Sequence, residues 1–380
     1  MNNADPLRFN YLSDPCLFQH VGENTLQVHA RFSDTFINEN ADSIATSIVN
    51  YANLTNKKTV AFCNIGDGFC EELLHKVNSI VIMLLAHTDI KVSDMMLVTG
   101  NMNSDYSINA YKEYCVKFNW IQLPLRFVNG WESSSASHIK VFGESAFDIF
   151  DTTPRLKNKK VLCFNRRGAS HRWYITAKFI ERNFLDQAFF SMYQPADAVN
   201  VDNTVIKNSH NIEQVIRDNA ELFPLKLSLT TFNGNDAIGY HPMADVDFFT
   251  NSYFSLIPET KFFKEPHFGC GHLDGHFLTE KTYKVISAKH PFILMHRPYV
   301  LRELRNSGYQ TFHPYIDEMY DTIEDDELRL EYIINEIERL YKFTDDEWIK
   351  FQTDVQSILL HNFNLLSSRL DPILTIVDNL

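Results

Sequence analysis

The sequence has little positive charge for its length. Its 380 residues include 35 lysines and arginines against 48 aspartates and glutamates, which gives a formal net charge of −13. A protein that covers nucleic acid broadly needs clustered lysines and arginines to neutralise the phosphates. The charge balance therefore argues against a broad nucleic-acid-binding surface, although it is compatible with a local basic cleft.

Cysteines are few and long apolar runs are missing. The six cysteines are scattered and form no dense framework, which is typical of proteins from a reducing compartment. The first ten residues, MNNADPLRFN, contain no apolar core of a secretion signal, and no run approaches the length of a membrane span. We therefore expect a soluble cytoplasmic protein with no membrane partner.

Apolar and aromatic residues are abundant. They make up 44% and 13% of the chain, and 30 residues are phenylalanine. Large aromatic side chains fill cores effectively, so we expect most of the phenylalanines to be buried. A chain of this length and composition can build two domains of ordinary size.

Strand and helix patterns alternate along the first 150 residues. Short apolar runs predict strands at 58–64, 94–99 and 121–128, with helices between them at 70–87 and 108–118. Such an alternation indicates an α/β fold with parallel, doubly wound sheets. The serine-rich piece 133–137 is predicted to be a loop.

A second alternating region follows a polar segment. Residues 151–160, DTTPRLKNKK, contain a proline and read as a linker, and Thr344 with Glu347 predicts a capping box for a last helix. We therefore predict an N-terminal domain at 1–150, a second domain at 151–343 and C-terminal helices at 344–380.

The stretch 251–297 predicts a strand, a loop, a helix and a strand. Glu259 follows the first strand, and Thr279 opens the helix just before Glu280 and Lys281. In open α/β sheets, ligands bind outside the carboxyl ends of the strands. A helix N-terminus at that edge offers backbone N–H groups and partial positive charge, which suit a phosphate.

A basic turn precedes this stretch. Arg166, Arg167, His171 and Arg172 lie between a predicted strand and a predicted helix, and Gly168 allows close backbone approach. Four potential cations in seven residues suit a diphosphate. The alternative is a solvated basic loop on an acidic protein.

These residues resemble the donor-binding half of GT-B glycosyltransferases. Glu-Thr at 259–260, Thr-Glu-Lys-Thr at 279–282 and Pro-Phe-Ile at 291–293 are similar to a segment of the α-1,3-fucosyltransferases. They are more similar still to a group of phage and giant-virus glycosyltransferase-like proteins that carry Thr-Glu-Lys-Thr. The resemblance covers about residues 160 to 340 and does not extend to the first half of the chain.

Two further segments of the viral group occur in this chain. An Arg-Arg segment lies upstream, here at 166–167, and a Gly-Tyr-x-Thr-Phe segment lies downstream, here at 308–312. The downstream segment is followed by an acidic loop, DEMYD at 317–321, which either covers the site or caps a helix.

The resemblance implies two Rossmann-like domains that face a cleft. It also implies a hexosyl- or pentosyltransferase that moves a sugar from a nucleoside-diphosphate sugar, as co-substrate, to a glycan, protein or modified-nucleobase acceptor. No cofactor and no metal are expected. Alternatives are a viral DNA glycosyltransferase that acts on hydroxymethylated bases and a non-catalytic nucleotide- or glycan-binding protein. The cytoplasm would be that of a microbe or of a virus-infected cell.

The resemblance also implies roles for individual residues. The basic turn would neutralise the departing diphosphate together with Lys281, while Glu259 and Glu280 would hold hydroxyls of the ribose or sugar. Without the resemblance, an acid in a first helical turn merely complements the helix dipole. The full set of predicted donor- and phosphate-binding residues is Arg166, Arg167, His171, Arg172, Ser255, Glu259, Thr279, Glu280, Lys281 and Thr282.

A glycosyl acceptor usually needs a general base, and the resemblance implies that this base lies in the first domain. Asp67 lies in a Gly-Asp-Gly turn between a predicted strand and a helix and is the favoured candidate, with Glu71, His87 and Asp105 as rivals. Ordinary turn chemistry is the alternative explanation for Asp67.

The loop 267–276 holds three histidines, one cysteine and one aspartate, which are potential zinc ligands. Their spacing fits no zinc motif, so we favour a glycine-rich flap beside the donor site. No metal is expected in the site.

Overall fold

The computed structural model describes residues 18–21, 25–29, 41–55, 59–64, 71–99, 105–127, 130–227, 242–263 and 276–369. The chain divides into two compact units. The first comprises the described residues up to 133 together with 276–277, and the second comprises those of 134–263 and 278–369. Each unit is built on a mainly parallel sheet that helices accompany, so the predicted α/β class is confirmed.

The first unit contains a five-stranded sheet whose described strands lie in chain order. The first pair is antiparallel and the later pairs are parallel. The strands are β1 at Phe18–Val21, β2 at Thr25–His29, β3 at Thr59–Asn64, β4 at Met95–Thr99 and β5 at Leu125–Phe127. Its helices are α1 at Ala41–Thr55, α2 at Glu71–His87 and α3 at Asp105–Phe118.

Strand β5 is shorter than the predicted strand at 121–128. Pro124 has no N–H to donate to a neighbouring strand, and the preceding N–H groups find side chains instead. The Ile121 N–H donates to Asn78 Oδ1 at 2.9 Å, and the Leu123 N–H donates to Tyr111 Oη at 2.9 Å. These bonds take the place of sheet pairing before Pro124, and the residues that pair with β4 are Leu125–Phe127.

The loop predicted at 133–137 is wrong, because helix α4 covers Gly130–Phe142. Serine-rich sequences have weak intrinsic helix preference. Ala136 and Ile139, three residues apart on one helix face, are both buried. Burial of this face outweighs the local preference for a loop.

The second unit contains a four-stranded parallel sheet in the order β7-β6-β8-β9. The strands are β6 at Lys159–Asn165, β7 at Ala188–Met192, β8 at Ser252–Pro258 and β9 at Phe292–Met295. Because β7 lies on one side of β6 and β8 on the other, the winding reverses between β6 and β8. Such a reversal leaves a crevice at the carboxyl ends of the two strands, where ligands bind in open α/β sheets.

Seven helices of the described chain follow in the second unit. They are α5 at Ser170–Glu181, α6 at Ser209–Asp218, α7 at Val246–Thr250, α8 at Glu280–Ser287, α9 at Val300–Asn306, α10 at Asp326–Tyr341 and α11 at Asp345–Ser368. The predicted capping box is confirmed, since Thr344 and Glu347 bond reciprocally at the start of α11. Trp348 of α11 stacks on Tyr253 of β8 with ring centroids 4.1 Å apart. None of the described helices combines the length and hydropathy needed to cross a membrane.

Candidate functional site

A cavity of about 150 Å³ lies at the reversal point between β6 and β8. Its apolar wall consists of Leu162, Phe164, Phe249, Leu256, Ile257, Pro258 and Val285. Its polar lining consists of Arg166, Arg172, Ser255, Glu280, Lys281 and Lys284. The structure therefore brings the basic turn after β6 and the start of α8 together around one space, although about 110 residues separate them in the sequence.

The turn after β6 leads directly into helix α5. Ala169 is the N-cap residue of α5 and offers no side-chain acceptor to the first N–H groups, and the first turn of the helix contains no acid. The first N–H groups of a helix have no intrahelical partner and carry partial positive charge. The N-terminus of α5 is therefore open to an external anion.

Gly168 is required by close packing in this turn. Its N–H donates to Gln194 Oε1 at 2.6 Å, and a Cβ atom at this position would lie 2.3 Å from Trp173 Nε1. Real Cβ atoms do not approach other atoms so closely, so a side chain here would displace the buried Trp173. The sequence suggested that Gly168 lets a ligand approach the backbone closely, but in the structure Trp173 and Gln194 occupy that space.

Arg172 is a buried cation that lines the cavity. It is 8% exposed, and its guanidinium donates to the carbonyl oxygens of Arg167 at 3.1 Å and of Pro258 at 3.2 Å. Its Nε has no hydrogen-bond partner, and no carboxylate of the described chain lies within ion-pairing distance of it. Burial lowers the pKa of Arg172, but a guanidinium stays protonated in proteins. The charges of Glu259 and Glu280 compensate part of this buried charge, and a negatively charged ligand would compensate more of it.

His171 is buried beside Arg172 and is neutral. Its Nε2–H donates to the Glu259 carbonyl oxygen at 3.0 Å, and its ring stacks on Phe262 with centroids 5.3 Å apart. Burial first, and the Arg172 charge second, hold the pKa of His171 well below its usual range. The sequence suggested a cation at His171, but a desolvated imidazole next to a guanidinium favours its neutral form.

Glu259 holds the start of α8 to the end of β8. Oε1 accepts from the Thr279 N–H at 3.0 Å and from the Thr282 hydroxyl at 2.7 Å. Oε2 accepts from the Thr279 hydroxyl at 2.7 Å and from the Thr260 N–H at 3.3 Å. The carboxylate is fully buried, and these four bonds use its usual acceptor capacity. Glu259 therefore positions α8 and has no acceptor left for donor hydroxyls.

The N-terminus of α8 differs from that of α5. Thr279 is its N-cap and accepts from the Lys281 N–H at 3.3 Å, while the buried Glu259 carboxylate supplies the negative charge that the helix dipole favours. The sequence predicted a phosphate at this helix start. The structure indicates that the start of α5 is the better place for an external anion.

Glu280 and Lys281 keep side-chain atoms at the cavity. Their side chains are 25% and 28% exposed, and the Lys281 Nζ lies 3.5 Å from Glu280 Oε1. Lys281 Nζ also donates to Thr279 Oγ1 at 3.0 Å and lies 3.7 Å from Glu259 Oε2. Of the two predicted sugar-binding carboxylates, Glu280 is the one that remains available to a ligand.

Ser255 lies in the cavity wall and is hydrogen-bonded to a histidine. Its hydroxyl lies 2.8 Å from His290 Nδ1, and His290 Nε2 lies 2.8 Å from the Ser252 carbonyl oxygen. A carbonyl oxygen only accepts, so Nε2 carries the proton and Nδ1 accepts from Ser255. Burial, with a contribution from Lys157, lowers the pKa of His290 to about 3. The Ser255 oxygen keeps acceptor capacity toward the cavity.

A buried ion pair next to the cavity was not predicted from the sequence. Lys284 of α8 pairs with Asp245, and its Nζ lies 5.1 Å above the ring of Phe164. Burial raises the pKa of Asp245, and the Lys284 charge opposes that rise. A lysine between the apolar residues Tyr283 and Val285 was a signal for an inward-facing charge. The sequence offered no signal for its distant partner.

The acidic loop at 317–321 caps structure within the second unit. Asp321 accepts from the backbone N–H groups of Leu301 and Arg302 at 3.1 and 3.4 Å, in the first turn of α9. Glu318 accepts from the Phe312 N–H at 2.6 Å and pairs with Arg305 at 3.1 Å. Of the two roles open from the sequence, the structure shows helix capping.

Two predicted features lie outside the described residues. They are the candidate base Asp67 and residues 267–275 of the histidine-rich loop. Within the described ranges, no group of three histidine, cysteine, aspartate or glutamate side chains is placed to hold a metal ion.

Comparisons with known proteins give matches at the level of structure. No protein-family model matches the chain, and no curated protein sequence matches it. A UDP-forming α,α-trehalose-phosphate synthase from Burkholderia xenovorans is similar over 93% of this chain and 74% of its own, with 9% identity and a TM-score of 0.42. A UDP-forming α,α-trehalose-phosphate synthase from Burkholderia vietnamiensis is similar over 93% of this chain and 71% of its own, with 10% identity and a TM-score of 0.43.

A glycosyltransferase from Rickettsia africae ESF-5 is also similar. It covers 91% of this chain and 81% of its own, with 12% identity and a TM-score of 0.39. Identities and TM-scores this low transfer no residue role and no activity to this chain.

Proposed function

We propose that the second unit binds a nucleoside-diphosphate sugar and that the protein is a glycosyltransferase. The observation that carries the proposal is Arg172, a buried guanidinium whose Nε lacks a partner, next to the uncapped N-terminus of α5 and a cavity at the sheet's reversal point. Glycosyl transfer from such a donor breaks the bond between the anomeric carbon and the phosphate oxygen. The departing diphosphate must then be stabilised.

Positive charge at the site suits this leaving group. Arg166 and Lys281 line the cavity together with Arg172, and the α5 N-terminus adds its partial charge. Guanidinium groups bind phosphate oxygens in a forked geometry, and a lysine adds a point charge. With this much fixed positive charge, the proposed transfer requires no divalent metal.

Glu280 is the proposed acceptor of donor hydroxyl groups. It lines the cavity, its side chain is partly exposed, and Lys281 is its ion-pair partner in the described chain. The acceptor would lose its proton to a general base, for which Asp67 stays a prediction. The new bond joins the acceptor oxygen to the anomeric carbon, and the proton passes to that base. We propose a glycan, a protein or a modified nucleobase as acceptor.

The test combines binding and turnover. Binding of pyrophosphate, nucleoside diphosphates and their sugars is measured by calorimetry and thermal shift, since a ligand of the native state raises Tm. Release of sugar from the donor in the presence of EDTA measures metal-independent turnover. Acceptor screens then compare glycans, proteins and DNA with hydroxymethylated bases.

Three variants and one control make the test specific. Arg166→Gln and Glu280→Gln each remove one charged contact, and Arg172→Lys keeps the charge but loses the forked guanidinium donors. Each variant should weaken binding of the selected donor by about ten-fold, which corresponds to about 1.4 kcal/mol. Arg217→Gln removes the same charge from an exposed ion pair on α6 and should leave binding unchanged. Binding without turnover under any acceptor would favour the non-catalytic alternative. If pyrophosphate and all donors fail to bind the wild type, the proposed site is wrong.

A further inference from the structure

We infer that the donor nucleotide carries a uracil-type pyrimidine, whose single ring occupies the cavity between β6, β8 and α8. This inference rests on the proposed function, because the diphosphate at Arg172 places the rest of the nucleotide beside the cavity. The proposed function leaves the nucleobase of the donor open, because the phosphate contacts do not determine it, and the present inference specifies a pyrimidine.

The apolar wall favours a base over a sugar ring. Leu162, Phe249, Leu256 and Val285 are all buried and face the cavity, with Phe164 beside them. Each hydroxyl of a sugar buried there would need its own hydrogen-bond partner, and an unpaired one costs binding free energy. A base has two apolar faces and carries its polar groups on one edge, so it suits this wall.

The size of the cavity favours one ring over two fused rings. Its volume is about 150 Å³. A protein cavity of about this volume, lined by similar aliphatic and aromatic side chains, takes up benzene, which has the size of a pyrimidine ring. Leu162 and Phe249 are 1% and 2% exposed, so the wall is part of the close-packed core and resists the widening that a purine would need.

The polar groups of the lining match the edge of uracil. Lys284 Nζ is a donor with three N–H groups, and its partner Asp245 engages one side of it. The Ser255 hydroxyl donates its proton to His290 Nδ1, so it faces a ligand as an acceptor. Uracil presents carbonyl oxygens that accept and an N3–H that donates. Cytosine has an acceptor at N3 and a donor at N4, so a cytosine ring held in the same position turns an acceptor toward the Ser255 oxygen.

The test compares nucleotides that share one diphosphate. Affinities of UDP, CDP, GDP, ADP and inorganic pyrophosphate for the full-length protein are measured by calorimetry. We expect UDP to bind about ten-fold more tightly than each of the other nucleotides. This is the affinity that a ligand typically loses when one well-placed hydrogen bond is missing or its ring does not fit. The inference is overturned if CDP, GDP or ADP binds as tightly as UDP.

A cavity-filling variant gives a second readout. Val285→Phe places an aromatic ring in the cavity and should weaken UDP about ten-fold while leaving pyrophosphate affinity unchanged. Val141→Phe makes the same change at an exposed position of α4 and should alter neither affinity. Unchanged UDP binding in Val285→Phe contradicts the inference. If Val285→Phe loses its cooperative unfolding transition, the ranking of nucleotides on the wild type decides alone.

The experiments distinguish an error in the assigned base from an error in the proposed function. If pyrophosphate binds but all nucleotides bind with similar affinity, the assignment of the base is wrong and the proposed anion site is still supported. Absence of pyrophosphate and nucleotide binding together overturns the proposed function itself.

Discussion

Replacement of Glu259 by glutamine distinguishes a structural carboxylate from a ligand-binding one. In the native structure each oxygen of Glu259 accepts from one backbone N–H and one hydroxyl, contributed by Thr260, Thr279 and Thr282. Glutamine turns one of the two oxygens into an NH₂ group, which donates only. Whichever way the amide is oriented, one backbone N–H then faces another donor.

The expected cost follows from these contacts. A hydrogen bond to a charged acceptor contributes about 1.5–3 kcal/mol, and a buried donor left unsatisfied costs about 1–3 kcal/mol. The variant keeps the shape of the side chain and leaves the two hydroxyls free to rotate. We therefore expect Glu259→Gln to lower the free energy of unfolding of the second unit by about 2–4 kcal/mol.

Urea unfolding, followed by circular dichroism and tryptophan fluorescence, measures this loss as a shift of the midpoint at constant slope. Glu280→Gln is the matched control, because it removes a carboxylate 21 positions later on a side chain that is 25% exposed. Its free energy of unfolding should stay within about 0.5 kcal/mol of the wild type, while its donor affinity falls. A Glu259→Gln protein with wild-type stability and weakened donor binding would refute the positioning role. It would restore the ligand-binding role predicted from the sequence.

Two further predictions follow from the same unit. Ala169→Asp supplies the missing side-chain N-cap of α5, so it should raise the free energy of unfolding by about 1 kcal/mol. Its negative charge at the helix N-terminus should also weaken pyrophosphate binding by about ten-fold. Unchanged pyrophosphate binding by calorimetry would exclude α5 as the anion site. In the folded protein His290 has a pKa of about 3 and is neutral, whereas in the unfolded chain it takes up a proton below about pH 6.5. The free energy of unfolding should therefore fall by about 1.4 kcal/mol per pH unit as the pH drops from about 6.5 toward 3. His290→Asn should flatten this dependence by that amount in urea unfolding between about pH 7 and 5, and an unaltered slope would show that His290 is not the group concerned.

The sheet-forming segments were predictable because their signals are local. Strands β3, β4, β6 and β9 are short apolar runs bounded by turn residues, and the Thr344 capping box is a four-residue pattern. The meeting of the basic turn with the Thr279 segment was also predictable. Both follow carboxyl ends of parallel strands, and such ends share one edge of a sheet.

The roles of individual site residues were not predictable, because they depend on partners far away in the sequence. The neutral state of His171 follows from burial against Phe262, and the saturation of Glu259 follows from hydroxyls at Thr279 and Thr282. Helix α4 likewise depends on the burial of Ala136 and Ile139, which its serine-rich composition hides. A sequence pattern gives the residue types at an edge but not which of their polar atoms are already bonded.

The two helix starts at the site show why that distinction matters for function. Both α5 and α8 begin at the same edge of the sheet, and their sequences suggest phosphate binding at each. The start of α8 already holds an internal anion, Glu259, and is fixed by it, whereas the start of α5 has no side-chain cap and adjoins the unpartnered Nε of Arg172. A rigid α8 can present Glu280 and Lys281 in a constant position while α5 receives the anion. The pair of variants Ala169→Asp and Glu259→Gln separates these roles, because the first should change binding at higher stability and the second should change stability first.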